Sequence, residues 1–502
     1  MKQILKNIIK KIDLLFWAIF IFSCLPRFLF LDKIPLRVDG DASRFALDGL
    51  SAWREHWSLF STGWQGHTNF LFYLIGFFVK IFKNQLLGLR LFSVVGGSLS
   101  VVATYLLAKK LFDKKVAFWA AVFLAVCPFH LVFSRVGTEA IWTSFFAPLV
   151  AYLILESFLF SIFLAGFLIG FSQYFYPGAR ILPIMALFQL IILVLYSKLK
   201  IIEGLKKVAI IILGIILVYF PMINHFYHHP DEYSARVNIV GIFQSGWLVK
   251  ESAKRPIVNI FWEQIKNSFQ VFWLPVNSGS RFWFIRTPYL DFLPIIFFSL
   301  GIIILLISLK KIYQPLFLLG FFVLTVFFAG VLTIDSPTPS RYVIIFPFLA
   351  IIVGIGLEKM LSKFKTKIAK IFFGIILVLS SGYSYWRHET IDTWKYDTNT
   401  QIATFAGRYL SQKTGNYQIY FLGNNNLYYN AIPTLPFLTK KEGTDIFKPI
   451  EKYTGINEGK SYFIILPDRK ADLGYLRKNY PLGKSSEFKN PLGDLLFYLF
   501  EK

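Results

Sequence analysis

The chain has 502 residues, of which 55% are hydrophobic, 19% aromatic and only 16% charged. An ordinary soluble domain carries about 25% charged residues, and apolar runs of membrane length recur along this chain, which excludes a water-soluble globular enzyme. The formal net charge of +24 would suit a nucleic-acid partner, but the lysines lie in short loops between apolar runs, so the charge is a topology signal with some attraction to anionic lipid.

Lysines at positions 2, 6, 10 and 11 precede the first apolar run. That run is long and no small-residue cleavage site follows it, so it reads as a retained span. Eleven spans are expected, at about 13–31, 86–108, 115–133, 139–156, 157–173, 181–197, 205–223, 291–309, 314–333, 341–357 and 368–385. Their lengths suit a hydrocarbon core of ~30 Å at 1.5 Å per residue. Cys24 and Cys127 both lie in these runs and read as packing residues, which leaves the redox compartment open.

With the N-terminus in the cytoplasm, the inner loops hold Lys109, Lys110, Lys114 and Lys115, then Lys198, Lys200, Lys206 and Lys207, then Lys310 and Lys311, then Lys359, Lys363, Lys365, Lys367 and Lys370. The short outer loops hold Arg135, Arg180 and Arg341. Lysines sort to one side and arginines to the other. This places the loops 32–85 and 224–290 and the tail outside the cytoplasm of a multi-pass plasma-membrane protein. Residues 1–385 read as the transmembrane domain and 386–502 as a soluble extracytoplasmic α/β domain.

The first outer loop begins with "RVDGDASRFALDG". Phe45, Leu47, Leu50, Trp53 and Trp57 recur at helical spacing, which predicts an amphipathic helix on the membrane surface. Asp41 is placed as a capping Asx turn before that helix, and also as a carboxylate at the membrane face able to take a proton from an attacking hydroxyl. Asp48 shares its helical face and reads as structural. "TNFLFYLIGFFVKIF" is too short for a span and predicts an interfacial or re-entrant helix. The second outer loop is rich in aromatics, including Trp247, Trp262, Trp273, Trp283 and Tyr289, which read mainly as a membrane belt. Its start, "NHFYHHPDEYSAR", gathers His225, His228, His229, Asp231 and Glu232, but the spacing is not a zinc pattern and Pro230 interrupts it, so no metal ligand is assigned. In the tail, "TQIATFAGRYLSQ" predicts a helix and "YQIYFLG", "SYFIILPD" and "DLLFYLF" predict strands. No phosphate-binding glycine motif, CxxC, HExxH or internal repeat is present.

Ionisable residues at the ends of spans are functional candidates. Arg27, Arg90, Arg135 with Glu139, Arg180 and Arg341 all fall on the outer side. Each could simply snorkel to the interface. Arginine on one side and lysine on the other favours a phosphate-bearing ligand at the outer leaflet, because a guanidinium grips phosphate oxygens in a planar, bidentate way.

With these motifs in order, the chain resembles the membrane-embedded GT-C glycosyltransferases of the protein O-mannosyltransferase and lipid A aminoarabinose transferase type. Asp41-Ala42-Ser43-Arg44-Phe45-Ala46 is similar to that family's Asp-Glu-x-Arg-Tyr-Ala, with Ala42 in place of the Glu and Asp39 as the nearest substitute carboxylate. Arg27-Phe28, Leu31 and Pro35 follow the family's end of the first span. His67-Thr68-Asn69-Phe70 stands where the family has Lys-Pro-Pro-Leu, and "FSRVGTEA", "QYFYPGARILP" and "SRYVIIFPFLA" resemble later family segments. The resemblance implies a GT-C fold with about eleven transmembrane helices and transfer of a sugar from a polyprenyl-phosphate donor to an acceptor hydroxyl of a protein, glycolipid or glycan. It implies inversion, with Asp41 or Asp39 as general base, donor-phosphate contacts from Arg180, Arg135, Arg90, His67 and Arg341, and acceptor, sugar or lipid contacts from Tyr174, Tyr176 and Arg236. No cofactor is required by this reading, and a divalent metal is left open. The alternatives are a lipid or sugar transporter or flippase, which would line mid-span with charge, and a non-catalytic subunit of cell-envelope polysaccharide assembly, which would tolerate loss of Asp41.

Overall fold

The computed structural model describes residues 14–156, 158–276, 282–283, 287–309, 312–364 and 366–502. The lysines at 2, 6, 10, 11, 310, 311 and 365 lie outside the described residues.

In chain order the membrane part contains α1 (Leu14–Phe28), α2 (Gly40–Glu55), α3 (Asn69–Ile81), α4 (Gln85–Leu111), α5 (Lys114–Val126), α6 (Pro128–Arg135), α7 (Ile141–Ile154), α8 (Leu159–Ser172) and α9 (Leu182–Leu195). It continues with α10 (Ile201–His228), α11 (Pro230–Val240), α12 (Trp247–Ser252), α13 (Ile257–Gln270), α14 (Phe292–Ser308), α15 (Tyr313–Val326), α16 (Pro339–Leu361) and α17 (Lys367–Arg387). Each of the eleven expected segments lies on helix. Five stretches, Gln85–Leu111, Pro177–Leu195, Tyr313–Val331, Pro339–Leu361 and Lys367–Tyr396, are long and apolar enough to cross a bilayer, and the pair α5–α6, bent by 56°, makes a sixth. The helices α1, α7, α8 and α14 are apolar but shorter. The 28-residue α10 packs along α8, where a Cβ at Gly166 would sit 2.3 Å from the Ile211 carbonyl oxygen. Small residues let membrane helices approach this closely.

The loop between α1 and α2 is shaped by arginine. At the α5–α6 break, Pro128 opens the second helix and frees backbone carbonyls of the first. Arg27, fully buried, donates to the oxygens of Ala125 at 2.9 Å and Leu124 at 3.2 Å, and lies 2.8 Å from His130 Nδ1. Arg90 donates to the carbonyls of Leu31, Pro35 and Arg37 at 2.6–2.9 Å. Arg135 donates to Pro26, to Leu29 at 2.8 Å and to Ile34 at 2.9 Å. The segment 26–37 has few partners of its own secondary structure, so guanidinium donors satisfy it instead. Snorkelling is therefore not what these three residues do.

α2 is capped two residues earlier than expected. Its N-cap is Asp39, whose Oδ1 accepts the Ala42 N–H at 2.9 Å, and Asp41 lies inside the first turn. The helix crosses α3 at a glycine pair. A Cβ on Gly76 would stand 2.4 Å from the Gly49 carbonyl oxygen. The 13 residues of α3 span about 20 Å, short of a hydrocarbon core of ~30 Å, in keeping with the expected short helix.

The C-terminal part is a sheet with helices on both faces. Its strands are β1 (Gln418–Leu422), β2 (Thr444–Asp445), β3 (Ser461–Ile465), β4 (Lys484–Lys489) and β5 (Leu495–Glu501), in the order β2-β1-β3-β5-β4. β1 runs parallel to β2 and β3, and β5 antiparallel to β3 and β4. Alternation sorts the strand residues: Ile419, Phe421 and Ile464 pack with Ile402, Ala406 and Leu410 of α18 (Thr398–Ser411). Tyr420, Leu422 and Phe463 pack on the other face with Leu473 and Leu476 of the helix Lys470–Asn479. This part docks on the membrane part beside α2. Thr404 Oγ1 accepts the Val38 N–H at 3.0 Å, Thr434 Oγ1 donates to the Val38 carbonyl at 2.8 Å, and Arg408 donates to Leu36 at 2.9 Å.

Candidate active site

The segment 173–181 ends α8 and turns into α9 through a 3₁₀ turn at Pro177–Ile181. Pro177 presets that turn and places Tyr176 and Arg180 on its inner side. Opposite, the segment 240–242 pairs with 332–334: the Ile242 N–H donates to Leu332 at 3.2 Å and the Ile334 N–H to Val240 at 2.8 Å. The short ladder holds α11 as a roof, with Arg236 beneath it. Arg341 rises from the first turn of α16.

These elements enclose a cavity of about 410 Å³ lined by Tyr176, Arg180, Arg236 and Arg341 among apolar side chains. Each arginine carries five donors and donates one hydrogen bond to the protein: Arg180 to the Tyr233 carbonyl at 2.9 Å, Arg236 to Gln65, and Arg341 to the Ile334 carbonyl at 2.7 Å. Arg180 also lies 4.1 Å from the Tyr233 ring centroid. Three cations with spare donors around one cavity would suit a dianion. The rest of the wall is apolar. Ile184 of α9, Phe328 beyond α15 and Phe243 of the roof line it and are themselves 42%, 37% and 55% exposed, so the cavity opens between α9 and α15 along an apolar surface.

A second, smaller recess adjoins it. It is lined by His67, Tyr174, Tyr176 and Arg180. His67 donates from Nδ1 to the Trp64 carbonyl at 3.0 Å, and its Nε2 stands 3.6 Å from Glu139 Oε1. Glu139 is buried and accepts from Thr138 Oγ1 at 3.1 Å. It sits close enough to bear on the Tyr176 hydroxyl together with Arg236 and Arg341. Glu139 was visible in sequence only as the neighbour of Arg135; its place opposite His67 comes from the turn at Gly137, whose φ is +92°.

Asp39 and Asp41 do not line the large cavity. The connection runs along α2. Phe45 lies one turn beyond Asp41 on the same helical face, and its ring meets the His67 ring at 4.9 Å. His67 in turn lies 6.5 Å from the Tyr176 ring. Burial, with the nearby charge of Asp41, pushes the Asp39 carboxyl up to about 7. Arg44 points away, paired with Asp48 at 3.0 Å.

The expected site residues thus fall in two groups. Arg180, Arg236, Arg341 and Tyr176 converge, with His67 beside them. Arg90 and Arg135 stand apart from them, each directing its terminal guanidinium nitrogens at carbonyls of residues 26–37. Tyr174 lines the small recess, with its hydroxyl donating to the Val218 carbonyl at 3.0 Å and its ring packed against Phe70 and Tyr219. His225 bonds Glu232 at 2.7 Å, which also takes the Thr62 hydroxyl at 2.5 Å. Among the described residues no three His, Cys, Asp or Glu side chains are grouped to hold a metal ion.

ArnT from Cupriavidus metallidurans, solved bound to undecaprenyl phosphate, superposes with a TM-score of 0.56 at 12% identity, covering 97% of this chain and 98% of ArnT. The fold is that of the GT-C glycosyltransferases. The apo oligosaccharyltransferase of Archaeoglobus fulgidus shares it at a TM-score of 0.53 and 11% identity, over 94% of this chain and 69% of its own. The same archaeal enzyme in complex with an inhibitory peptide and a dolichol-phosphate matches at 0.52 and 12% identity, over 96% and 74%. Residues 66–224 match the family model described as dolichyl-phosphate-mannose-protein mannosyltransferase. No curated protein matches in sequence. The segment matched by that family model holds His67, Glu139, Tyr176 and Arg180; Asp41, Arg236 and Arg341 lie outside it.

Proposed function

We propose that this chain is a glycosyltransferase that moves a sugar from a polyprenyl-phosphate donor to an acceptor hydroxyl at the outer face of the membrane. The observation that carries this reading is the convergence of Arg180, Arg236 and Arg341 on a cavity that is otherwise apolar and opens along apolar side chains. A lipid phosphate has this chemistry, a multiply charged head on an apolar chain. GT-C relatives with undecaprenyl phosphate and dolichol-phosphate bound support it. The lysine and arginine sorting supports an outer site, a cytoplasmic N-terminus and an extracytoplasmic C-terminal domain in a bundle of eleven spans.

The phosphate enters between α9 and α15 and is held by the three guanidinium groups. In the displacement, the acceptor oxygen forms a bond to the anomeric carbon as the bond from that carbon to the phosphate oxygen breaks. The lipid phosphate leaves with the electron pair, and the arginines stabilise its added charge. The acceptor proton goes to a carboxylate. Asp41 is the general base, and Asp39 is the cap that fixes the start of α2. Inversion follows from a single displacement.

Purified protein and a polyprenyl-phosphate sugar test this. Asp41→Asn should lower transfer by about 10²- to 10⁴-fold, the usual worth of a general base, with donor binding and membrane insertion unchanged. Full transfer by Asp41→Asn would remove Asp41 from the chemistry.

A further inference from the structure

A second large cavity lies away from the arginine site. It is a groove of about 660 Å³ between α1, α5 and α17, lined by Leu15, Ile19, Phe22, Phe118, Val122 and the α17 stripe Ile371–Ile375–Leu379. Its wall is hydrocarbon except at one end, where Lys367 and Lys370 reach it.

The groove exists because α17 stands off from the bundle. Only Leu377 and Ser381 of this 21-residue helix are buried. At the closest approach, a Cβ on Gly374 would lie 3.2 Å from the Trp119 ring, and Trp119 is braced by its Nε1 bond to Glu358 at 3.2 Å. Beside that contact Ile371, Ile375 and Leu379 of α17 stay 62%, 51% and 66% exposed. In a bilayer such a gap is filled by a chain, because lipid tails and apolar side chains are equivalent solvents there.

The ends identify the occupant. The groove is lined by α1 from Leu15 to Phe22, by α5 from Phe118 to Val122 and by α17 from Lys367, so it follows the N-terminal portions of three helices that begin on the lysine-bearing side. Arg27 lies at the far end of α1, and Arg135 at the end of α6 beyond the bend that closes α5. The groove therefore lies toward the lysine-bearing ends of these helices and shares no lining residue with the donor cavity. Among the described residues neither Lys367 nor Lys370 pairs with a carboxylate, whereas Lys115 nearby reaches Glu358 at 3.9 Å. Two unpaired cations at the head of an acyl-sized groove match an anionic headgroup.

We propose that the groove between α1, α5 and α17 binds one phospholipid with an anionic headgroup, its phosphate against Lys367 and Lys370 and an acyl chain along Ile371, Ile375 and Leu379. Only the naming of its leaflet as the inner one rests on the proposed topology. The lipid serves as a mortar that seats α17, the helix leading into the C-terminal domain.

Native mass spectrometry tests this on the full chain purified from vesicles of equal parts phosphatidylglycerol and phosphatidylcholine. One phosphatidylglycerol should survive detergent washing. The double variant Lys367→Gln/Lys370→Gln should lower its retention about 30-fold, since each lysine near a membrane surface contributes about a fivefold preference for anionic lipid. Ile375→Trp, which fills the groove and keeps both lysines, should also eject it. Arg180→Ala, which empties only the donor site, should leave it bound, so the outcome is separate from the proposed transfer reaction. Equal retention of phosphatidylcholine, or undiminished phosphatidylglycerol in the lysine variant, would overturn the proposal. So would retention of a polyprenyl phosphate that Ile375→Trp removes and Arg180→Ala does not.

Discussion

Arg180 is the arginine whose removal speaks most directly to the donor site. It sits on the turn Pro177–Ile181, donates one hydrogen bond to the Tyr233 carbonyl and rests on the Tyr233 ring. Both contacts are to the single residue Tyr233 of α11. A charge-assisted hydrogen bond contributes about 1.5–3 kcal/mol, and Arg180→Ala should therefore weaken binding of a polyprenyl phosphate by about 10- to 150-fold. Arg180→Lys keeps the charge but loses the planar two-oxygen grip, and should fall between the two. Arg44→Ala is the control. Arg44 is paired only with Asp48 four residues on and its side chain is 46% exposed, so its loss costs at most about 0.5 kcal/mol. Affinity is read by displacement of a fluorescent polyprenyl phosphate from protein in nanodiscs. If Arg180→Ala binds within twofold of the parent while Arg44→Ala behaves the same, the cavity does not hold the phosphate. The reasoning from three convergent arginines then fails.

Asp39 should make α2 pH-sensitive. An unfolded Asp ionises near 3.9, whereas Asp39 in place ionises at about 7 because it is buried beside Asp41. Between those values the folded form holds more protons, so protection of α2 amides against hydrogen exchange should fall as pH rises from about 4 to about 7 and level off above. Asp39→Asn keeps a capping oxygen and should flatten that slope; an unchanged slope would assign it elsewhere. Arg27→Met should lower the thermal midpoint of the purified protein sharply, because the Leu124 and Ala125 carbonyls at the α5–α6 bend lose their buried donor, each orphaned group costing about 1–3 kcal/mol. A midpoint within 1–2 °C of the parent, about what a change well under 1 kcal/mol gives, would show that water reaches the bend.

Periodicity made the helices readable. The apolar segments fell on helix throughout, and the short length of α3 was evident from 15 apolar residues between polar ones. The strands β1, β3 and β5 were evident for the same reason, since each buries both faces and reads as a continuous apolar run. β4 was not. Its sequence, Lys484–Lys489, is polar and exposed as an edge strand, so no apolar pattern marks it, and lysine at an edge is what keeps such a strand from pairing further. The start of α2 shifted from Asp41 to Asp39 because two aspartates two residues apart are equally good caps. Only the docking of Val38 on Thr404 and Thr434 selects between them.

The arginines show where sequence stops discriminating. Arg27, Arg90, Arg135, Arg180 and Arg341 look alike in the chain, each polar at the outer end of an apolar run. In the structure they do two different jobs, and the local backbone decides which. Where a loop or a helix break leaves carbonyls without amide partners, as at 26–37 and 124–125, a nearby guanidinium is consumed by them. Where the neighbouring backbone pairs with itself, as in the ladder between 240–242 and 332–334, the guanidinium donors nearby are left over. Arg180, Arg236 and Arg341 each give one bond to the protein and face a cavity with the rest. Five donors in a planar fork make arginine suited to both tasks, whereas lysine offers a point charge with three donors and no fork. The preference for arginine on this side therefore reflects scaffold as much as ligand. A binding site is recognised there by the count of donors that the backbone does not use.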